Sequence, residues 1–291
     1  MNKNLQQLCL IGQKTQRTIL GLMSGTSFDG LDLALCRISG SGQDTAVELL
    51  RFDTVSFEPH FKEALKSIFS RRDADLEKVC LLNNHVAIEH ARIIKETLLK
   101  WGVKKEEVDL VASHGQTIYH APAFLHGQKE YGNSTLQIGD GDHIAVHTGI
   151  ITISDFRQKH VAAGGEGAPL AVYGDYLVFS KKGENRIMLN IGGIANFTYL
   201  PGDLNAANVF STDVGPGNTM MDALIQTNYP GEYYDKDAAV ARKGNVHTEL
   251  LSALKEDPFF SNSFPKTIGP ELFNIQYLKK VVDQIILVRF R

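Results

Sequence analysis

The feature that most constrains the fold is a β-prone segment, a turn of small residues and a second β-prone segment, a pattern that occurs twice. The first copy surrounds the turn in Gly21-Leu-Met-Ser-Gly-Thr-Ser-Phe-Asp-Gly30, and the second surrounds Gly192-Gly193. Between them, β-prone segments alternate with helical ones such as Leu76 to Trp101, in which apolar residues recur at spacings of three, four and seven. This alternation indicates an α/β protein. The repeat predicts two similarly built domains, residues 18–182 and 183–291.

The overall charge and the cysteine content argue against several classes of protein. The formal net charge is −3, which provides no electrostatic attraction toward nucleic acid or an anionic membrane. Cys9, Cys36 and Cys80 are odd in number and lack Cys-x-x-Cys spacing, as expected in a reducing cytoplasm. No apolar run approaches the ~20 residues of a membrane span, and residues 1–17 lack the features of a signal peptide. We therefore expect a cytoplasmic protein whose partner is a small molecule.

The turn between the first two β-prone segments has the composition of a phosphate-binding loop. Gly25, Thr26 and Ser27 would present consecutive backbone N–H groups and two hydroxyls, which can form a concave anion site. Asp29 and Asp32 could hold magnesium-bound water or orient the loop, since Mg²⁺ prefers carboxylate and water oxygens. The turn is not a Walker A loop, since no Gly-Lys-Ser/Thr follows it. A plain hairpin turn rich in turn-forming residues is the alternative interpretation.

A second loop places a carboxylate next to glycines, in Asp213-Val-Gly-Pro-Gly-Asn218. The pattern predicts that Asp213 ends a strand and that the loop opens a helix, whose N-terminus and N–H groups would bind an anion. A carboxylate at that edge is placed to act as a base on a nucleophile aimed at a phosphate. The alternative is a helix N-cap region with strained glycines.

Two further segments place polar side chains at predicted strand ends, where ligands bind in α/β sheets. In Asp155-Phe-Arg157 the arginine could bind a carboxylate in a bidentate manner, and a structural ion pair is the alternative. In His114-Gly-Gln-Thr117 the histidine is more typical of a hydrogen-bonded structural residue. His143 and His147 have helical spacing, but no third ligand accompanies them, so we predict no metal site on protein side chains.

The order and spacing of these motifs, from about Ile19 to Phe273, are similar to those of the anhydro-N-acetylmuramic acid kinase family. The matching segments are Gly21 to Asp32, His114-Gly-Gln-Thr117, Leu136-Gln-Ile-Gly-Asp140, Asp155-Phe-Arg157, Gly164 to Pro169, Leu189-Asn-Ile-Gly-Gly-Ile-Ala-Asn196, Asp213 to Asn218 and Tyr234-Asp-Lys-Asp237. Chance agreement over that many motifs is implausible.

The resemblance implies an actin-like ATPase fold of the α/β class, built from two ribonuclease-H-like domains. Residues 18–182 would carry the ATP phosphate loop, and residues 183–291 would form a partial second domain with the catalytic aspartate. The family uses ATP and Mg²⁺ to open the 1,6-anhydro ring of anhydro-N-acetylmuramic acid with water and to phosphorylate the 6-oxygen. The product, N-acetylmuramic acid 6-phosphate, enters peptidoglycan recycling. The resemblance also implies a homodimer.

The same resemblance assigns roles to individual residues. Asp213 would be the catalytic carboxylate that deprotonates the attacking water. Arg157, His114 and Gln116 would bind the sugar substrate. The ATP phosphate loop would consist of Gly25, Thr26, Ser27, Phe28, Asp29, Gly30, Leu31 and Asp32.

Several positions depart from the family pattern. Val214 replaces a threonine beside the catalytic aspartate, His160 replaces an aspartate, and Glu166 replaces a glutamine in the Gly-rich loop. From Val281 onward the sequence does not resemble the family, which continues through a Gly-Gly-Gly-containing segment. We therefore expect a C-terminally truncated second domain with exposed apolar surface or an unpaired sheet edge.

Two functions stay open at this point. The first is an active anhydro-sugar kinase, and the second is a truncated, catalytically impaired homologue that only binds the sugar or a partner. A generic ATPase similar to Hsp70 or acetate kinase is a weaker third interpretation, because it leaves the sugar-proximal motifs unexplained.

Overall fold

The computed structural model describes residues 2–268 and 272–289. The chain divides into two compact units, Met1–Ala171 and Val172–Arg291. This division precedes the predicted domain boundary at residue 182, and the description of the units as ribonuclease-H-like domains stays a prediction. Each unit combines helices with a β-sheet, so the predicted α/β fold class is confirmed.

The first unit contains a six-stranded sheet and the helices that pack on it. Its strands are β1 (Gln16–Ser24), β2 (Gly30–Ser39), β3 (Ala46–Ser56), β4 (Leu110–Ala121), β5 (Ser134–Ile138) and β6 (Thr152–Ser154). Its helices are α1 (Lys3–Gln13), α2 (Pro59–Lys66), α3 (Leu76–Trp101), α4 (Ala123–His126), α5 (Gly141–Thr148) and α6 (Phe156–Ala162). The long helix α3 has the predicted bounds: Asp75 caps its N-terminus, and Gly102 ends it with a left-handed φ of 67°.

The sheet of the first unit mixes antiparallel and parallel pairing. The strand order is β3-β2-β1-β4-β5, with β6 also beside β4. Strands β1 to β3 pair antiparallel, whereas β4 pairs in parallel with β1 and β6. Leu31, Leu33 and Leu35 of β2 are buried, as their alternation predicts, and they share one core with Val86 and Ile94 of α3. Burial of each such side chain contributes about 1.5–3 kcal/mol.

The second unit contains an antiparallel sheet of three strands in the order β7-β8-β9, which repeats the β1–β2–β3 arrangement. These strands are β7 (Arg186–Ile191), β8 (Ile194–Leu200) and β9 (Phe210–Pro216). The remaining helices are α7 (Ala171–Phe179), α8 (Thr219–Asn228), α9 (Thr248–Leu254), α10 (Pro258–Ser261) and α11 (Ile275–Arg289). On the edge strand β7, Ile187, Leu189 and Ile191 are 57–60% exposed, so this strand presents uncovered apolar side chains.

Some elements differ from those predicted. The strand predicted to end at His114 continues as β4 to Ala121, because β5, which the sequence analysis does not predict, pairs with its second half. Helix α6 is likewise absent from the prediction. The sequence also predicts a helix from Asp237 to Arg242, but the structure has two single 3₁₀ turns there, since Asp237 and Ala238 have positive φ. Glu271, the predicted start of the last helix, lies outside the described residues. Among the described helices, none has the length and apolarity needed to cross a membrane.

Candidate functional site

The parallel strands of the first unit bring the predicted ligand-binding segments to one edge of the sheet. β1 pairs with β4 up to Ser24 and Gln116, and β4 pairs with β6 up to Ser113 and Ser154. The predicted phosphate loop follows β1, His114 continues β4, and the segment with Arg157 follows β6. Ligands in α/β proteins bind at such carboxyl ends of parallel strands. The fold therefore gathers the predicted phosphate and sugar residues of this unit.

The predicted phosphate loop is anchored at Phe28 and open at Thr26 and Ser27. Phe28 has a φ of 58° and buries its ring in the core, and its N–H donates to the carbonyl of Gly25 at 3.3 Å. Thr26 and Ser27 are exposed. A Cβ on Gly30 would lie 2.3 Å from a backbone oxygen of β3, so only glycine permits this close approach. The loop thus has a fixed base and free hydroxyls.

The other members of this loop differ in what they offer a ligand. Leu31 is fully buried, so its side chain is not available for binding. Asp29 is exposed, whereas Asp32 is half-buried and its Oδ1 accepts a 2.6 Å hydrogen bond from the Thr54 hydroxyl. Two carboxylates suit a Mg²⁺ ion held mainly by phosphate and water oxygens. Within residues 2–268 and 272–289, no cluster of three His, Cys, Asp or Glu side chains is placed to hold a metal.

Gln116 lies beneath the loop and is not open to a ligand. Its side chain is fully buried. Its Oε1 accepts a hydrogen bond from the Ser24 hydroxyl, and its Nε2 donates to the carbonyls of Gly25 at 3.1 Å and Thr117 at 3.2 Å. Gly115, with a φ of 71°, forms the bulge that turns Gln116 in this direction. Both polar atoms of the carboxamide are therefore engaged within the protein.

Arg157 and His114 are in direct contact. The Nε–H group of Arg157 donates to Nε2 of His114 at 2.8 Å, and its Nη1 donates to the carbonyl of Gly167 at 2.7 Å. Because Nε2 accepts, the proton of His114 lies on Nδ1, which donates to the carbonyl of Gly115 at 2.9 Å. Burial lowers the pKa of His114 and the Arg157 charge lowers it further, while the Gly115 contact opposes both.

The contact with His114 bears on the two interpretations of Arg157, which are a ligand-binding residue and a member of a structural ion pair. No carboxylate in the described part of the chain forms an ion pair with Arg157, so the structural ion pair is not seen there. The guanidinium is half-buried and carries an uncompensated positive charge beside a neutral histidine. Such a cation at the ligand edge of a sheet suits an anionic or hydroxyl-rich ligand.

The Gly-rich loop that follows α6 is supported by His160. The Nδ1 atom of His160 accepts a 3.2 Å hydrogen bond from the N–H of Gly167, and a Cβ on Gly165 would lie 2.0 Å from its Nε2. Burial and the Arg157 charge lower the pKa of nearby His120, and the charge of Glu166 opposes them. His160, which replaces an aspartate of the family pattern, therefore affects the shape of the loop. Glu166, which replaces a glutamine, affects its charge.

Asp213 lies within β9, opposite Asn196 of β8, and not at the strand end that the sequence predicts. Its N–H donates to the carbonyl of Lys266 at 2.9 Å, and its Oδ2 accepts from the N–H of Ile268 at 2.8 Å. Burial raises the pKa of the Asp213 carboxyl, and the Ile268 contact opposes that rise. Its Oδ1 accepts no hydrogen bond from any described residue. A fixed, half-buried carboxylate can accept a proton.

The loop after Asp213 closes on the turn between β7 and β8. The N–H of Gly217 donates to the carbonyl of Gly193 at 3.0 Å, and that of Asn218 donates to Gly192 at 2.7 Å. A Cβ on Gly217 would lie 2.0 Å from the Gly192 oxygen, which explains the glycine. The anion site predicted for this loop therefore cannot use these two N–H groups.

The sequence analysis missed the residues that hold the candidate groups in place. Ser24 closes the apolar strand β1 with a buried hydroxyl, and a polar residue at that position is a signal that could have been used. Lys266 and Ile268 contact Asp213 only through their backbones, so their side chains give no sign of that role.

Comparisons with known proteins agree with the motifs. A family model described as anhydro-N-acetylmuramic acid kinase matches residues 17–289. The prediction that the sequence ceases to resemble the family from Val281 onward is therefore wrong for residues 281–289. A protein of Pseudoalteromonas atlantica is 57% identical over 96% of this chain and 69% of its own length. Others from Pseudoalteromonas translucida and Caldanaerobacter subterraneus are 51% and 39% identical, over 96% of this chain and 70% and 71% of their own lengths.

All three relatives carry the name anhydro-N-acetylmuramic acid kinase. The family match spans both units of the structure. This chain belongs to the anhydro-N-acetylmuramic acid kinase family.

Proposed function

We propose that this protein is an ATP-dependent kinase that hydrolyses the 1,6-anhydro ring of anhydro-N-acetylmuramic acid and phosphorylates its 6-oxygen. Water attacks the anomeric carbon, the bond from that carbon to O6 breaks, and O6 takes the γ-phosphoryl group as ADP leaves. The product is N-acetylmuramic acid 6-phosphate, an intermediate of peptidoglycan recycling. Family membership supports the reaction type, and the geometry of Asp213 carries the assignment of its base.

Asp213 would take the proton of the attacking water. Its Oδ2 is held by the Ile268 N–H, and its Oδ1 would accept from water. Burial raises the pKa of its carboxyl, and a general base works best when its pKa approaches the working pH. Val214 follows it without a hydroxyl, so Asp213 depends on backbone contacts for its orientation.

The loop Gly25 to Asp32 would hold the phosphates of ATP. Thr26 and Ser27 offer exposed hydroxyls and backbone N–H groups, and the buried Phe28 keeps the loop in one conformation. Asp29 and Asp32 would contribute oxygens to a hydrated Mg²⁺ ion. Mg²⁺, when bound, would neutralise charge on the transferring phosphoryl group.

Arg157 and His114 would contact the sugar, with Arg157 supplying the charge and the neutral imidazole fixing its direction. Gln116 would act through the phosphate loop and not by touching the sugar, since its polar atoms contact Ser24, Gly25 and Thr117. The three residues assigned to the sugar thus divide into two that bind it and one that positions the neighbouring loop.

We further propose that the enzyme works in the cytoplasm, on small molecules and not on nucleic acid or membranes, as a homodimer. The absence of Cys-x-x-Cys spacing supports the cytoplasmic location, and the net charge of −3 supports small molecules as partners. The family resemblance supports the homodimer.

A coupled assay for ADP tests this function. Protein and Mg-ATP are mixed with and without anhydro-N-acetylmuramic acid, and we expect ADP release only with the sugar. If no sugar-dependent release occurs while calorimetry still detects sugar binding, the kinase proposal fails and the binding-only alternative replaces it.

A further inference from the structure

The Lys266 side chain is half-buried and is not paired with a carboxylate. No Asp or Glu within residues 2–268 and 272–289 forms an ion pair with it. Its Nζ atom instead donates to the carbonyls of Phe259 at 2.8 Å and Phe260 at 3.3 Å. A partly buried ammonium group is costly unless it is hydrogen-bonded, so these two carbonyls of α10 hold the charge in one place.

Two aromatic rings enclose the same ammonium group. Nζ lies 4.4 Å from the centroid of the Phe259 ring and 5.0 Å from that of Phe264. A cation within about 6 Å of a ring centroid is attracted to the ring face. The Phe259 ring is buried and packs edge-on against Phe260 and Phe273. The ammonium group is therefore fixed to α10 by ring faces as well as by carbonyls.

The backbone of Lys266 pairs with β9 at the candidate base. Its N–H donates to the hydroxyl of the buried Thr212 at 2.9 Å, and its carbonyl accepts from the N–H of Asp213 at 2.9 Å. Two residues farther along, the N–H of Ile268 donates to Oδ2 of Asp213 at 2.8 Å. Residues 266–268 therefore determine the direction of the Asp213 carboxylate.

Helix α10 also contacts the loop that follows Asp213. A Cβ on Gly215 would lie 3.2 Å from the Phe260 ring, so this ring packs directly against the loop. The same short helix thus supports the chain after Asp213 and, through the Lys266 ammonium group, the segment that holds its carboxylate. The pKa of Asp213 is set by burial and, in the opposite direction, by the Ile268 N–H, and not by the Lys266 charge.

We propose that Lys266 is a positioning residue for the Asp213 carboxylate. Its ammonium group anchors residues 266–268 to α10, and these residues hold Asp213 in the orientation needed to take a proton from water. This inference rests on the proposed function, in which Asp213 is the general base. A base must lie within hydrogen-bonding reach of the proton that it takes, so a small displacement of this segment lowers the rate.

A carboxyl ¹³C NMR titration of Asp213 tests this inference without turnover, with Asp213→Asn to assign the signal. Lys266→Met keeps the hydrocarbon stem on the rings but loses the charge and the N–H donors. We expect the Ile268 hydrogen bond to weaken and the pKa of Asp213 to rise, because that bond favours the charged form. Lys266→Arg, which keeps both the charge and the donors, should restore the wild-type pKa.

Two further variants accompany this titration. Lys266→Gln keeps an N–H donor without the charge and should raise the pKa of Asp213 by a smaller amount. Lys182→Met removes an exposed lysine of the same unit and should leave the pKa of Asp213 unchanged. A lysine with a merely structural role would lower the urea midpoint of unfolding without moving the Asp213 pKa of the folded protein.

Steady-state kinetics gives the second readout. Lys266→Met should lower kcat by about tenfold or more and change KM for the sugar by less than about threefold, because Lys266 acts through the base and not on the substrate. In the Asp213→Asn background the same change should cause little further loss of kcat, since the two residues act as one unit.

An Asp213 pKa that is the same in the wild type, Lys266→Met and Lys266→Gln would overturn the inference. An undiminished loss of kcat on adding Lys266→Met to Asp213→Asn would also overturn it. The proposed function fails separately: if the wild type releases no ADP with the sugar while Lys266→Met still raises the pKa of Asp213, the kinase reaction is refuted and the positioning of Asp213 by Lys266 stands.

Discussion

The Gln116 carboxamide accepts a hydrogen bond from the Ser24 hydroxyl, and both side chains are buried under the predicted phosphate loop. The same carboxamide donates to the carbonyl of Gly25, the first residue of that loop. The loop therefore rests on a polar contact between two parallel strands, and its conformation depends on a residue that does not reach the ligand.

Replacing Gln116 with leucine should weaken nucleotide binding. The change leaves the Ser24 hydroxyl without a partner and removes one of the two donors to the Gly25 carbonyl, which costs about 1–3 kcal/mol of stability, and it loosens the loop. We expect the Kd for ATP, measured by fluorescence or calorimetry, to rise roughly tenfold.

Two controls accompany this variant. Ser113→Ala removes a buried hydroxyl from the same strand that has no hydrogen-bond partner among the described residues, so it should leave Kd unchanged. Combining Gln116→Leu with Ser24→Ala should restore part of the stability, because both partners are then absent. An unchanged Kd in Gln116→Leu would show that the loop does not depend on this contact.

Removing the charge of Arg157 should raise the pKa of His114. Burial is the main cause of its lowered pKa and the Arg157 guanidinium is the second, so Arg157→Gln removes only the second. The titration of His114 is followed by NMR, with His114→Gln to assign its signal and Arg51→Gln as a distant control. A His114 pKa that does not change in Arg157→Gln would contradict the observed contact.

His90 should make the first unit less stable in mild acid. It is fully buried, neither ring nitrogen has a partner among the described residues, and burial lowers its pKa to about 4. Because the unfolded chain takes up the proton near pH 6.5 and the folded one near 4, stability falls as pH drops between these values. The loss is about 1.4 kcal/mol per pH unit from this residue.

Trp101, the single tryptophan, ends helix α3 in the same unit, so its fluorescence reports this unfolding in urea. The variant His90→Leu should show a shallower pH dependence than the wild type, whereas the exposed His60→Gln should not. Parallel pH profiles for the wild type and His90→Leu would refute the buried neutral histidine.

The exposed side chains of β7 should promote association between copies of the protein. Ile187, Leu189 and Ile191 lie on an edge strand and are more than half exposed. We expect Leu189→Lys to slow aggregation, measured by light scattering, and to change the free energy of unfolding by less than about 0.5 kcal/mol. Leu200→Lys, at a fully buried position of β8, is the contrasting variant and should unfold the unit. Unchanged aggregation in Leu189→Lys would argue against this surface.

Much of the fold follows from local sequence patterns. The spacing of apolar residues predicts the bounds of α3, and the alternation of apolar residues identifies the buried face of β2. Both patterns arise because the two elements bury one face against the same core. The extension of β4 to Ala121 does not follow from its own sequence. It depends on pairing with β5, a contact made by residues well separated along the chain.

The candidate site could be predicted in its residue types but not in its contacts. The family resemblance assigns His114, Gln116 and Arg157 to one group, yet Gly115 turns Gln116 toward the phosphate loop while His114 faces Arg157. The backbone contacts that hold Asp213 come from Lys266 and Ile268, whose side chains carry no such signal.

Asp213 as the general base is the central claim, and the variant Asp213→Asn tests it most directly. The amide keeps the size of the side chain but cannot accept the proton of the attacking water, so we expect sugar-dependent ADP release to fall about 10²–10⁴-fold. Nucleotide Kd, measured on the same preparation, should stay within a factor of two or three of the wild-type value. Sugar-dependent ADP release by Asp213→Asn at a rate close to that of the wild type would contradict the assignment.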